Sequence, residues 1–229
     1  SRHIVEEFSD SATFVWLKDG TVQEQGPQID KLPLLLDLGA LDSFDKLRSG
    51  QTSLLVLTED RDRQYLEFLL QHNGYRMDEI LVYSYKTSSN LEGAVLFVDF
   101  LASIAPTCKV MIHRDRDFMT ISEVERVKQA ISKSGAIPFI TAGSDIESYF
   151  VSDAHIGHIS GVTNEEIRAW LNELATNNHN DLLLQFTRKR DDIKYKMYRD
   201  NRDDCPDTKK IIGLSVSLSE EKRKGKFML

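Results

Sequence analysis

The fold is decided by the stretch Ser53-Leu54-Leu55-Val56-Leu57-Thr58-Glu59-Asp60-Arg61-Asp62. Its short apolar run is typical of a strand buried on both faces, since it lacks the alternation of a strand with one wet face. Acidic residues follow at the end of the strand. A helix is then predicted from about 63 to 72, and Asn73-Gly74 ends it. The stretch predicts a strand, an acidic turn and a helix.

The same order of strand and helix recurs along the chain. Strands are predicted at 79–85, 109–113 and 136–140, with helices at 91–104 and 120–134. Parallel strands need a crossover connection, which is usually a helix. The sequence therefore predicts an α/β fold with a parallel sheet flanked by helices.

The flanking segments have other patterns. A hairpin is predicted where strands at 12–18 and 21–23 enclose Asp19-Gly20, and a helix is predicted at 34–48. Beyond about 152 the pattern becomes helical. The spacing of Thr163 and Glu166 predicts a capping box at the start of one helix, and a second helix is predicted at 179–199.

The composition is that of a globular protein. The chain has 229 residues, of which 41% are hydrophobic and 28% charged, a balance that argues against disorder. It contains no apolar run near the ~20 residues of a membrane span, and its first residues lack a secretory apolar core. Cys108 and Cys205 form no C-x-x-C pair, which makes a disulfide scaffold or a cysteine zinc site unlikely on this pattern. A reducing, cytoplasmic setting is predicted.

Charge is distributed unevenly. The formal net charge is −7, yet residues 188–229 hold 13 Lys/Arg against 8 Asp/Glu. An acidic body with a basic C-terminal part suits a metal site beside a phosphate-contacting surface. A solvated helical surface of mixed charge explains the same pattern, and composition alone favours that explanation.

Acidic residues follow three of the four strands predicted for this sheet. They are Glu59 and Asp62, Asp115 and Asp117, and Asp145 and Glu147. Ligands bind outside the carboxyl ends of parallel strands, so these side chains are expected to converge. Crowded carboxylates repel one another, and a hard divalent cation removes that repulsion. Two such ions can stabilise both the attacking and the leaving oxygen in phosphodiester cleavage. Each pair alone is also explained as a helix cap or a solvated turn.

The order of these acids resembles the Toprim fold of topoisomerases, primases and several nucleases. Glu59 after one strand and Asp115-Arg116-Asp117 after a later one match that family's motif. Asp60 stands where the family usually has glycine. This departure weakens a topoisomerase or primase assignment and leaves the metal chemistry in place.

Nearly the whole chain resembles the C-terminal nuclease region of OLD (overcoming lysogenization defect) proteins of class 2. Residues 1–26 are similar to the tail of an ABC-type ATPase head. A Toprim-like unit and then a helical segment follow. Near the end of the chain, Gly225-Lys226 resembles the late Gly-Lys of these nucleases. The chain has no Walker A motif, so no bound nucleotide is expected. The resemblance implies four parts: an ATPase-tail remnant and linker at 1–45, a Toprim-like core at 46–152, a helical subdomain at 153–212 and a return segment at 213–229.

The resemblance also implies roles for individual residues. Two Mg²⁺ or Mn²⁺ ions are expected, the first held by Glu59, Asp62 and a shared Asp115. Asp60 could substitute for Asp62. Lys226 would neutralise charge developing on the phosphate. The second ion is expected at Asp117, Ser144, Asp145 and Glu147, and the catalytic set would be Glu59, Asp115, Asp117, Glu147 and Lys226.

DNA is the implied partner, together with an N-terminal ATPase region and a possible homodimer; no membrane partner is expected. The residues predicted to contact nucleic acid are Arg114, Arg116, Arg188, Lys189 and Arg190. The basic run among them could equally be exposed surface, and His113 is interpreted as structural more readily than as a ligand.

These patterns predict a metal-dependent DNA endonuclease. The alternatives left open are an RNA-cleaving or other Toprim phosphotransfer enzyme, and a non-enzymatic α/β interaction module.

Overall fold

A computed structural model describes residues 14–18, 21–26, 46, 47, 49–85, 91–212 and 223–228. The predicted helix at 34–48 lies almost entirely outside these residues. Most of the predicted return segment, 213–222, lies outside them as well.

The predicted N-terminal hairpin is confirmed. Strands β1 (Phe14–Lys18) and β2 (Thr21–Gly26) pair antiparallel. The pairing register shifts between Trp16 and Leu17, where a bulge interrupts the ladder.

A four-stranded parallel sheet forms the centre of the fold, which confirms the predicted α/β class. Its strands lie in the order β4-β3-β5-β6. β3 pairs with β4 on one side and with β5 on the other. The strands are β3 (Leu54–Thr58), β4 (Ile80–Ser84), β5 (Lys109–Arg114) and β6 (Ile137–Ile140).

Helices connect consecutive strands of this sheet. They are α1 (Gln64–His72), α2 (Leu91–Ile104) and α3 (Ile121–Lys133). The apolar run in β3 is buried throughout, as expected for a strand covered on both faces. In α1, Leu66 and Leu70 are one turn apart and both buried, which gives this short helix its inward face.

The last part of the described chain is helical. Thr163 and Glu166 form the predicted capping box, with each side chain bonded to the other's backbone N–H. The helices are α4 (Asp153–Ser160), α5 (Asn164–Asn177), α6 (His179–Met197), α7 (Thr208–Ile212) and α8 (Gly225–Met228). One apolar cluster joins α5, α6 and α8; its buried members are Ile167, Leu171, Ala175, Leu182 and Met228.

Contacts divide the chain into two compact units. The first comprises Ser1–His113 and Ala130–Pro138, and the second comprises Arg114–Gln129 and Phe139–Leu229. The boundaries fall inside β5 and β6, so the second unit contains the residues that follow both strands. None of the helices in the described residues is long and apolar enough to cross a membrane.

Candidate metal centre

The strand order places a topological switch point between β3 and β5. From β3 the chain passes to β4 on one side of the sheet and then returns to β5 on the other side. At the carboxyl ends of these two strands, Thr58 and His113 are register partners. Ligands of open parallel sheets bind at such points.

In the first unit, Thr58, Asp60 and His113 lie together at this edge. Thr58 Oγ1 is 2.8 Å from His113 Nδ1, and it accepts a hydrogen bond of 3.2 Å from the backbone N–H of Asp60. Asp60 Oδ2 lies 3.7 Å from His113 Nδ1. The hydroxyl of Thr58 therefore helps to fix both the histidine ring and the turn that follows β3.

His113 is held as a neutral imidazole. Its side chain is fully buried, and this burial lowers the pKa of His113 from 6.5 to about 4. Neutral imidazole is the form that binds metal ions. Asp60 and His113, with Asp115 two residues further along the chain, each offer a ligand atom of a kind that could hold a metal ion.

The acidic residues predicted after β3 lie in different settings. Glu59 is half-buried. Asp62 is exposed, and its Oδ1 accepts a hydrogen bond of 3.0 Å from the backbone N–H of Gln64 at the first turn of α1. Asp62 therefore stabilises the start of α1. Asp60, which the sequence offers as a substitute for Asp62, is the residue that lies near His113.

In the second unit, the turn after β5 is tied to the turn after β6. Asp115 Oδ1 accepts a hydrogen bond of 3.0 Å from the backbone N–H of Ile146. The backbone N–H of Asp117 donates to the carbonyl of Ser144 at 2.7 Å. Asp117 is the one non-glycine residue with positive φ among the described residues, at +50°. Aspartate adopts positive φ more readily than most residues, and here the bond from its N–H to the carbonyl of Ser144 holds the conformation.

Glu147 lies in a short 3₁₀ helix, Ile146–Tyr149, and is buried. Burial raises the pKa of Glu147, and the neighbouring charge of Asp145 raises it further. The charges of Lys226 and Lys224 act in the opposite direction. A buried carboxylate whose charge is opposed by its surroundings is a suitable ligand for a cation.

Asp145 holds the Gly225-Lys226 turn against this acidic cluster. It is buried, and its two carboxylate oxygens accept hydrogen bonds from the backbone N–H groups of Gly225 at 2.9 Å and Lys226 at 3.1 Å. The hydroxyl of Ser144 adds a third contact, a 2.7 Å bond donated to the carbonyl of Arg223. These contacts bring together residues that are about eighty positions apart.

Glycine is required at position 225. A Cβ there would lie 2.2 Å from the backbone nitrogen of Ser148 and 2.4 Å from Asp145 Oδ1. The following residue, Lys226, is exposed. The close approach of the backbone therefore delivers a lysine with an accessible side chain to the edge of the acidic cluster.

The basic residues predicted to contact nucleic acid divide into two groups. Arg188 is exposed and Lys189 is partly so. Arg190 and Arg114 are buried instead, and Arg190 is bound by Glu123 through two contacts of 2.7 and 3.1 Å. The structure thus gives Arg190 a buried partner in Glu123, and the predicted contact of these two arginines with nucleic acid stays a prediction.

Arg116 is engaged with the backbone of its own unit. Its Nε donates to the carbonyl of Met119 at 3.2 Å, and its Nη1 donates to the carbonyl of Ala142 at 3.0 Å. These bonds connect the turn after β5 to the turn after β6. Arg116 thus supports the shape of the acidic turn.

The sequence did not predict the ion pair between Lys189 and Asp117. Lys189 Nζ lies 2.8 Å from Asp117 Oδ1. The only signal was a lysine in a basic run, which does not reveal a partner seventy-two positions away. For His113, the position at the end of a strand favours a structural role over a ligand role. Comparison with known proteins adds no assignment, since no family model, curated protein or solved structure matches this chain.

Proposed function

We propose that this chain is a metal-dependent endonuclease that cleaves or nicks DNA by a two-metal mechanism. The observation that carries the proposal is the hydrogen-bonded cluster of the second unit. In it, Asp115, Asp117, Asp145 and Glu147 lie on two connected turns, and the Gly225-Lys226 backbone is bound to the same cluster. Acidic ligands beside a cationic side chain suit phosphodiester chemistry.

The donor set supports hard divalent ions, Mg²⁺ or Mn²⁺. We assign one ion to Asp115 and a second ion to Asp117 and Glu147 of the second unit, and we keep Asp60 and His113 as candidate ligands of the first unit. When bound, the ions would lower the pKa of a water and stabilise charge on the phosphate oxygens. A histidine ligand is more usual for Mn²⁺ than for Mg²⁺, so we expect Mn²⁺ to support the higher rate.

The remaining residues have supporting roles in the proposal. Lys226 stabilises negative charge as it develops on the scissile phosphate. Asp145 and Ser144 position the segment that carries Lys226. We reassign Asp145 from metal ligand to positioning residue, because both of its carboxylate oxygens already accept backbone hydrogen bonds.

The resemblance to OLD nucleases extends the proposal to the whole protein. In that reading the chain is the C-terminal nuclease part of a longer ATPase-nuclease, active as a homodimer. It is supported by the Glu59 and Asp115-Arg116-Asp117 motif and by Gly225-Lys226.

The test is plasmid cleavage by the purified chain. Supercoiled DNA is incubated with Mg²⁺ or Mn²⁺, with and without EDTA, using wild type, Asp115→Asn and Asp192→Asn. Asp192 is an exposed carboxylate on α6 and serves as the matched control. We expect nicked product that requires the metal. Asp115→Asn should lower the rate by about a hundredfold or more, because several kcal/mol of charge stabilisation is lost.

The same assay separates the alternatives. Cleavage at the wild-type rate by Asp115→Asn would overturn the assignment. Turnover of a labelled RNA without turnover of the matching DNA would favour an RNA-cleaving enzyme. No turnover of either substrate at saturating Mn²⁺ would favour an interaction module.

A further inference from the structure

Lys189 of α6 forms an ion pair with one of the proposed metal ligands. Its Nζ lies 2.8 Å from Asp117 Oδ1, with the lysine side chain 33% exposed and the aspartate side chain 8% exposed. The pair is therefore largely shielded from water on the carboxylate side. Shielded pairs are screened less by salt than surface pairs.

The helix that carries Lys189 is fixed against the acidic turn by its neighbouring residues. Arg190 donates to the carbonyl of Phe118 at 3.1 Å and binds Glu123 at the start of α3. One turn earlier, the ring of Phe186 packs on that of Phe118 with centroids 4.7 Å apart. These contacts fix α6 in register, so Lys189 meets Asp117 as a consequence of buried packing.

The backbone of Asp117 is held by the turn after β6. Its backbone has φ of +50° and its N–H donates to the carbonyl of Ser144 at 2.7 Å. The Asp117 carboxylate offers the same oxygen lone pairs to an ammonium group or to a dication. Binding of a divalent ion at that oxygen therefore competes with Lys189.

We propose that Lys189 is the resident counter-ion of Asp117 and that it leaves the carboxylate when a divalent ion binds there. This inference rests on the proposed function, because it assumes a metal at Asp117. Lys189 compensates the carboxylate charge without metal and sets the affinity of the second ion. The freed ammonium group would then lie beside the proposed phosphate site, where it can contact DNA.

Metal titration tests the competition directly. Mn²⁺ is titrated into the full chain by calorimetry for wild type, Lys189→Met and Lys194→Met. Lys194 is an exposed lysine of the same helix, so its variant removes the same charge without removing the pair. We expect Lys189→Met to bind the second Mn²⁺ ion, the one assigned to Asp117, roughly three- to tenfold more tightly than Lys194→Met, since the competing ammonium is gone.

Chemical labelling tests the same point without any substitution. The wild-type chain is acetylated at low reagent concentration, and the extent of modification at Lys189 and Lys194 is read by mass spectrometry. Saturating Mn²⁺ should increase modification of Lys189 severalfold and leave Lys194 unchanged. This measurement keeps the proposal open to refutation if Lys189→Met does not fold.

The outcomes separate this inference from the nuclease proposal. Equal Mn²⁺ affinity in the two lysine variants, or unchanged labelling of Lys189, overturns the inference while metal binding and cleavage stand. Weaker Mn²⁺ binding by Lys189→Met overturns it too, since the lysine would then support the metal. If wild type binds no Mn²⁺ at all, both proposals fail.

Discussion

Three residues at the candidate centre have an unusual backbone conformation, protonation state or packing environment. Asp117 adopts a left-handed backbone conformation, His113 is kept neutral by burial, and Gly225 sits where no side chain fits. Each departs from the ordinary behaviour of its residue type. Departures of this kind cluster where geometry matters for function.

Gly225→Ala tests the close approach of the last segment. The added methyl group must displace the backbone at Ser148 or the carboxylate of Asp145. We expect the turn to shift by about an ångström and cleavage to fall by about a hundredfold. The measurement is the plasmid-nicking rate, with folding checked by circular dichroism.

Gly74→Ala is the control for that variant. Gly74 has positive φ but open space around it, so alanine adds backbone strain without a collision. It should lower the melting temperature slightly and leave the nicking rate unchanged. Equal nicking by Gly225→Ala and wild type would show that the approach has no catalytic consequence.

The acids were predictable from sequence because strand ends are visible as breaks in an apolar run. Asp115, Asp117 and Glu147 each follow such a run, and the topology brings the two turns together. The pairing of Lys189 with Asp117 was not predictable. Lys189 and Arg190 are adjacent in the same basic run, and a rotation of about 100° around α6 separates a half-exposed side chain from a buried one.

At the scale of elements, α6 and α3 are joined by a buried charge network. Arg190 and Glu123 are both fully buried, and the Tyr198 hydroxyl donates to Glu123 Oε1 at 2.9 Å. Arg126 bonds the same hydroxyl. A charge pair of this kind contributes little when intact and costs much when one partner is removed.

Glu123→Gln should therefore destabilise the protein. Burial alone would raise the pKa of Glu123, but hydrogen bonds from Arg190, Thr120 and Tyr198 and the charge of Arg190 together lower it. Removing the carboxylate leaves Arg190 buried and uncompensated. We expect the free energy of unfolding at pH 7 to fall by about 3–5 kcal/mol, measured by urea denaturation.

The effect should depend on pH with a definite sign. Because the folded-state pKa of Glu123 is depressed, its stabilisation is present above the ordinary value of 4.5 and is lost as pH falls through the folded-state pKa. The difference between wild type and Glu123→Gln should therefore shrink below pH 4.5. Glu165→Gln, an exposed substitution on α5, should show no such convergence. A difference that stays constant down to pH 3 would contradict this explanation.

The elements themselves were well predicted where local signals were strong. The apolar run of β3, the Asn73-Gly74 stop after α1 and the Thr163 capping box each act within a few residues. For Asp145 and Glu147, the alternative of a helix capped by Asp145 is confirmed: Asp145 is the N-cap of the short 3₁₀ helix at Ile146–Tyr149. Its start depends on Asp115 and Asp145, and the first of these contacts lies far away in sequence.

For the whole molecule, metal binding should appear as thermal stabilisation. A ligand that binds only the folded chain at a hundred times its Kd adds about 2.7 kcal/mol. For a protein of this size, that corresponds to a rise in Tm of about 5–10 °C. The measurement is a calorimetric scan with Mn²⁺ and then with excess EDTA, which should reverse the shift.

Asp115→Asn is the informative variant in that experiment. It should abolish the part of the shift that the first ion contributes, whereas Asp192→Asn should retain the whole shift. A Tm that rises as much in Asp115→Asn as in wild type would show that no ion is bound through Asp115. Because the scan contains no DNA, it tests metal binding at Asp115 whatever the substrate of the protein is.

The hydrogen bonds between Asp145 and the Gly225-Lys226 backbone determine which substitutions this segment tolerates. Asp145 holds main-chain amides, so the anchoring is indifferent to which side chain follows Gly225. Replacement of Lys226 would remove its ammonium group while the hydrogen bonds from Asp145 to the backbone remain. Substitutions at position 226 can therefore change or remove the proposed catalytic activity without destabilising the fold. A related protein could keep this structure and lack the activity.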